Sequence, residues 1–231
     1  MSSPSYGWIL AAVTAAFGSA CAAEPGNADV VDLRDPRINT SVYDCTRPDG
    51  DVFEFTLRQG PGEMAVWLPW EFGYPYLVLS LDSAEDAPTY REGEVAIRID
   101  RGTADLVVGT QRYAACARND LRSAWEHAKL TGVDFRAGGV DPDWVLEIRN
   151  GDTMTFRADD ARTALQVPTP APRTDAVERM SVFDASDPAQ VFEVHISGTQ
   201  CVAPDRDDMM GVAVTVIVNE RLFTGCGRAL H

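Results

Sequence analysis

At 231 residues and 45% hydrophobic content, the chain has apolar material for one or two packed cores, and its 24% charged residues argue against general disorder. A formal net charge of −15 disfavours nucleic acid and anionic lipid headgroups as partners and favours encounter with a basic one.

The N-terminus reads as an export signal, not as part of the fold. Trp8 to Phe17 is an apolar run of signal-peptide length, too short to span a bilayer. Gly18, Ser19 and Ala20 precede Cys21, and this small-small-Cys order resembles a bacterial lipoprotein box. The expectation is a signal over residues 1–23 with lipid attached at Cys21, which holds an exported, periplasmic protein on the outer membrane. Cleavage near Ala22 or Ala23 without lipid is the alternative. Setting Cys21 aside leaves an even number of the five cysteines, as suits an oxidising compartment. Pairing Cys45 with Cys116 and Cys201 with Cys226 keeps each bridge inside one candidate domain. Each closure contributes roughly 3–4 kcal/mol in the chain-entropy model. No Cys-x-x-Cys occurs and the three histidines are scattered, so no metal site is expected.

Glu24 to Asn39 is polar and reads as a tether, residues 24–39. A β domain over residues 40–119 follows, opening with Phe53, Phe55 and Leu57 alternating on a half-buried strand. Gln59-Gly60-Pro61-Gly62 is a turn, Met64 to Leu68 a strand stopped at Pro69, and Trp70 to Pro75 an irregular aromatic segment expected chiefly in packing. Tyr76 to Leu81, Val95 to Asp100, Ala104 to Val108 and Gln111 to Ala115 complete its strands. Asp120 to Leu130 predicts a helix capped by Asp120, with Leu121, Ala124, Trp125 and Ala128 on one face and His127 at the surface. This connector, residues 120–133, leads into a second β-rich domain, residues 134–231. There Asn150-Gly151-Asp152 marks a hairpin between Asp141–Ile148 and Thr153–Arg157, and Pro168 to Arg173 is a loop. Val191 to Ser197 turns Phe192, Val194 and Ile196 inward and His195 outward, and a last hairpin crosses Asn219-Glu220. The expected fold is mostly β: two small antiparallel β domains joined by a short helix.

Several phrases of the first domain stand in a recognisable order. They are Tyr43-Asp44-Cys45, Phe53 and Phe55, Ser80 to Ser83, Tyr90-Arg91-Glu92-Gly93, Arg101-Gly102 with Ala104 and Leu106, and Tyr113 to Cys116. The frame resembles the membrane-bound inhibitors of c-type lysozyme (MliC-like proteins). The resemblance implies an eight-stranded barrel in the periplasm, with c-type lysozyme as partner. It also implies that Ser83 and Arg101 enter the lysozyme cleft, supported by Tyr90, Gly93 and Gly102. The second half resembles an uncharacterised family of bacterial envelope lipoproteins. That likeness rests on Phe135 to Gly138, Asp141 to Ile148, Cys201, Asp207-Asp208-Met209 and Gly225-Cys226-Gly227, and it implies no activity.

No Gly-x-Ser-x-Gly, His-Glu-x-x-His, Walker or dinucleotide motif occurs, and Asp205-Arg206-Asp207-Asp208 lacks the alternating ligands of a calcium loop. Neither enzyme activity nor a cofactor is expected. Two rival readings remain beside inhibition. One is a non-inhibitory structural or interaction protein of the envelope. The other is a periplasmic glycan-binding module that stacks sugars on Trp67, Trp70, Phe72 and Tyr74.

Overall fold

A computed structural model of the chain describes residues 40–83, 87–158, 163–202 and 210–231. The signal segment with Cys21, the tether, Glu85, Asp86 and the Asp205 to Asp208 run lie outside the described residues. The fold is mostly β, with two antiparallel sheets and a short helix between them.

The first sheet is a closed barrel. It comprises β1 (Thr40–Thr46), β2 (Val52–Gly60), β3 (Glu63–Trp67), β4 (Leu77–Ser83), β5 (Thr89–Glu92), β6 (Val95–Asp100), β7 (Thr103–Val108) and β8 (Gln111–Asn119), in up-and-down order. Antiparallel pairing of β1 with β8 closes it, with Val42 opposite Asn119. Eight strands enclose a space that side chains just fill. The period-2 alternation places Phe55, Leu57, Met64, Leu79, Ile97 and Leu106 in that space, each almost wholly buried. β5 was not anticipated from sequence: its four residues turn only Tyr90 fully inward, too little for a periodic signal.

Tyr113 and Cys116 lie three residues apart, yet both point into the core. A regular strand forbids this. A bulge reconciles them: the β7–β8 register shifts between Ala104 and Leu106, and Ala115 takes φ +53°. Asp105 Oδ1 accepts the Ala115 N–H at 2.9 Å and pins the distortion. The Tyr-x-x-Cys spacing is therefore a bulge signature. It delivers Cys116 to Cys45, and the expected disulfide ties β8 to β1 at the seam where the barrel closes.

Helix α1 spans Asp120–Leu130, the bounds its sequence predicts, but its cap lies one residue earlier than expected. Asn119, not Asp120, is the cap, accepting the Arg122 N–H on Oδ1 at 3.0 Å, while Asp120 pairs with Arg118 at 3.0 Å. The Ser123 hydroxyl accepts the Val42 N–H at 2.8 Å and donates to Asn119 O at 2.6 Å. Arg122 grips Glu54 through two bonds of 2.9 and 3.0 Å. His127 is half-buried, with Nδ1 3.4 Å from Thr40 Oγ1, so it packs against β1 and is not a plain surface residue. The opposite face of α1 meets the second sheet. Trp125 stands near the guanidinium groups of Arg136 and Arg228, 5.7 and 5.1 Å from its ring centre, and packs with Val133 and Leu230. Both sheets grip the same helix.

The second sheet contains β9 (Phe135–Val140), β10 (Asp143–Ile148), β11 (Thr153–Ala158), β12 (Ala164–Pro168), β13 (Arg173–Asp175), β14 (Met180–Asp184), β15 (Phe192–Val202), β16 (Met210–Val218) and β17 (Arg221–Ala229). Two meanders, β9 to β12 and β13 to β17, join where β9 pairs with β17. Strands β12, β13 and β14 went unread in the sequence. β12 ends in Pro168 at a sheet edge, where proline is tolerated, and β13 is three fully exposed residues without an apolar pattern. β11 and β15 are five positions apart in the sheet, about 24 Å if it were flat. Their Phe156 and Phe192 rings are nevertheless 6.1 Å apart, and Phe156 meets Phe223 of β17 at 5.0 Å. The sheet therefore curls until its two arms share one core.

Candidate functional site

An up-and-down barrel has two ends, and its hairpins alternate between them. The turns after β2, β4 and β6 share one end, and those after β1, β3, β5 and β7 share the other. Ser83 closes β4, and Arg101 with Gly102 makes the β6–β7 turn, so these three residues belong to one rim.

Ser83 owes its place to a second bulge. Leu81 stands opposite Tyr90 and Ser83 opposite Thr89, which leaves Asp82 as the extra residue. Such an insertion re-aims the side chain that follows it. Thr89 in turn faces Arg98 of β6, and the Ile99 N–H donates to Pro88 O at 3.1 Å, so the β4–β5 connection lies beside the β6–β7 turn. Arg101 and Gly102 have φ of +45° and +93°, the left-handed pair of a two-residue hairpin turn. Thr103 Oγ1 donates to Asp100 O at 2.9 Å, and the Arg118 N–H donates to Gly102 O at 3.1 Å, fixing the turn on both sides. The Arg101 side chain is 96% exposed, with Asp100 Oδ1 3.9 Å away. So exposed a pair contributes little and leaves the guanidinium able to rearrange. A comparable surface pair, Arg91 with Asp82 at 3.4 Å, stands beside Ser83.

The other two residues assigned to the site lie elsewhere. Tyr90 points inward and belongs to the barrel core. Gly93, at φ +53°, makes the β5–β6 turn at the opposite end. Both are scaffold: one fills the barrel, the other permits a tight turn. The sequence phrase that links Tyr90 and Gly93 to Ser83 spans the full height of the barrel, so adjacency in the chain becomes separation in space.

The aromatic segment at that opposite end divides between packing and exposure. Phe72 packs on Phe53 and Tyr113, at 5.1 and 5.8 Å between ring centres, as expected. Trp67 is half-buried against Tyr76 at 5.3 Å. Trp70 is 83% and Tyr74 36% exposed.

Among the described residues, Tyr43 and Asp184 have displaced titration, and both are structural. Burial pushes the Tyr43 hydroxyl upward, partly countered by the Arg118 charge and a hydrogen bond with Ser41. The backbone N–H of Ser186, then its hydroxyl, hold the Asp184 carboxyl below the usual range.

No family model, curated protein or solved structure matches this chain. Among the described residues, no cluster of three or more His, Cys, Asp or Glu side chains is placed to hold a metal. No helix among them is long and apolar enough to cross a membrane. The disulfides Cys45–Cys116 and Cys201–Cys226 fit an extracellular or periplasmic setting.

Proposed function

We propose that this is an exported envelope protein, held by lipid on Cys21, whose barrel binds and inhibits a c-type lysozyme. The observation that supports this reading is the shared rim, with Ser83 and the well-exposed Arg101 on neighbouring hairpins. A retaining glycosidase holds two carboxyl groups about 5–5.5 Å apart, one of them with a raised pKa. The Ser83 hydroxyl hydrogen-bonds one carboxyl group and the Arg101 guanidinium ion-pairs with the other, so the sugar is shut out. Arginine supplies this charge through a planar fork suited to a carboxylate. The −15 net charge steers a basic target toward the barrel. Asp82 and Asp100 flank the two contact residues and act against docking, so the reading rests on the fork and the hydroxyl outweighing them.

The test is lysozyme inhibition by oxidised residues 24–231 at low and moderate salt, beside an Arg101→Ala variant. A loss of potency of about tenfold or more in the variant, roughly 1.4 kcal/mol, supports inhibition through the cleft. Potency that survives in the variant and vanishes with salt marks nonspecific attraction between acidic and basic surfaces. No inhibition at either salt turns the reading to a non-inhibitory interaction protein of the envelope.

A further inference from the structure

The barrel end opposite Ser83 and Arg101 holds an open cavity of about 390 Å³, lined by Arg47, Asp49, Glu71, Phe72, Gln111 and Tyr113, with Pro48 beside them. Three separate segments build it. The β1–β2 hairpin supplies Arg47 and Asp49, the short helical turn Trp70–Phe72 supplies Glu71 and Phe72, and the start of β8 supplies Gln111 and Tyr113. Its volume falls within the roughly 300–1,000 Å³ of small-molecule sites.

The lining combines one aromatic wall with a ring of mixed polar groups. Phe72, half-buried, forms the wall, held edge to face against the buried Tyr113, which packs in turn on Phe53. The Arg47 guanidinium lies 4.8 Å over the Phe53 ring and pairs with Glu71, while its Nε is buried without a hydrogen-bond partner. Gln111 Oε1 accepts the Tyr113 hydroxyl at 3.0 Å, which turns the amide N–H2 end to serve as a donor. Asp49 Oδ1 accepts only a local turn bond from the Asp51 N–H at 3.2 Å. Strand pairing uses none of these polar groups.

We propose that this cavity binds a neutral pyranose sugar unit of a glycan. A pyranose ring has an apolar C–H face that packs on an aromatic ring and an edge of hydroxyls that both donate and accept. Asp49 and Glu71 accept from such hydroxyls, Arg47 and Gln111 donate to them, and Phe72 takes the apolar face. An anionic ligand meets two carboxylates here, and a wholly apolar one strips them of water without replacement bonds. Trp70, in the same turn as Glu71 and 83% exposed, offers a stacking face to a neighbouring sugar unit. The site lies at the far end of the barrel from the lysozyme rim and stands or falls independently of it.

The test is calorimetric titration of the mature, oxidised chain with chitohexaose, cellohexaose and maltohexaose, beside Asp49→Ala, Gln111→Ala and Arg101→Ala. Asp49 and Gln111 are exposed, so their variants should keep the native melting temperature, which is checked first. Expected is saturable binding of at least one hexaose, weakened about tenfold by Asp49→Ala and by Gln111→Ala and unchanged by Arg101→Ala. The proposal is overturned if none of the three saturates up to roughly 10 mM, the weak end of measurable affinity, or if both cavity variants bind like the native chain.

Discussion

The two sheets solve one problem in different ways. Each is a single antiparallel sheet with one apolar face to hide. The barrel hides its face by closing the hydrogen-bond ladder, β1 onto β8, and so has no edges. The second sheet keeps two edges and closes through side chains, with Phe156 reaching across to Phe192 and Phe223. The disulfides follow suit. Cys45–Cys116 staples neighbouring strands, whereas Cys201–Cys226 joins β15 to β17 with β16 between them in the sheet. Two flat strand spacings are about 9–10 Å. The Cα atoms of Cys201 and Cys226 are 5.6 Å apart, so the sheet coils sharply there, next to the register shift between Ser197 and Gln200. Ladder closure makes stability a property of the whole ring; side-chain closure concentrates it in a few rings and bridges.

That contrast is sharpest at Phe156. Phe156→Ala removes the ring on which the two arms of the second sheet meet, and denaturant unfolding should show a loss of about 3–5 kcal/mol. A loss near 1 kcal/mol would mean that the arms hold together without it. The disulfides give the next largest effects. They close loops of 71 and 25 residues, so serine replacement of the Cys45–Cys116 pair should cost about 1 kcal/mol more than replacement of Cys201–Cys226. The opposite order would show that the coiled second sheet depends on its bridge more than chain entropy allows. Ser123→Ala leaves the buried Val42 N–H without its acceptor and should cost about 1–2 kcal/mol by thermal or denaturant unfolding. The smallest effect is a titration in the barrel. The unfolded chain loses the Tyr43 proton near its ordinary value of 10.0 and the folded chain loses it higher. The stabilisation is complete below about pH 10 and is lost as pH rises through the folded-state value, because the unfolded state then binds fewer protons. Melting temperatures across that window should fall in the native protein and fall less in Tyr43→Phe.

Much of this architecture was legible in the residues. Alternation such as Phe53, Phe55 and Leu57 marks a strand wherever one face is buried, because side chains in an extended chain must alternate. Both disulfide pairs followed from keeping each bridge within one run of strands. The helix and its buried face followed from 3–4 spacing, though its cap moved to Asn119, which sequence alone does not distinguish from the neighbouring Asp120. The strands missed were β1, β5, β9, β12, β13 and β14. Most are short or lie at an edge, β1 breaks alternation by burying both Val42 and Tyr43, and β9 carries Gly138 and Gly139 in place of a periodic apolar pattern. The candidate rim was half legible. Ser83, Arg101 and Gly102 fall together, but Tyr90 does not because its side chain turns into the core, and Gly93 does not because chain proximity says nothing about which end of a strand a residue occupies.

By itself, the sequence determined that this protein is mostly β, with two disulfide-closed sheets and a helix between them. Those features depend on local period, turn chemistry and cysteine number, all of which are written along the chain. The eight-stranded barrel expected for the first domain is present, but only the tertiary structure decided that the second sheet curls on itself, where the bulges at Asp82 and Ala115 fall, and that Arg47, Glu71 and Gln111 share one cavity. Those outcomes depend on register between strands far apart in sequence. A shift of one residue there turns every side chain to the opposite face.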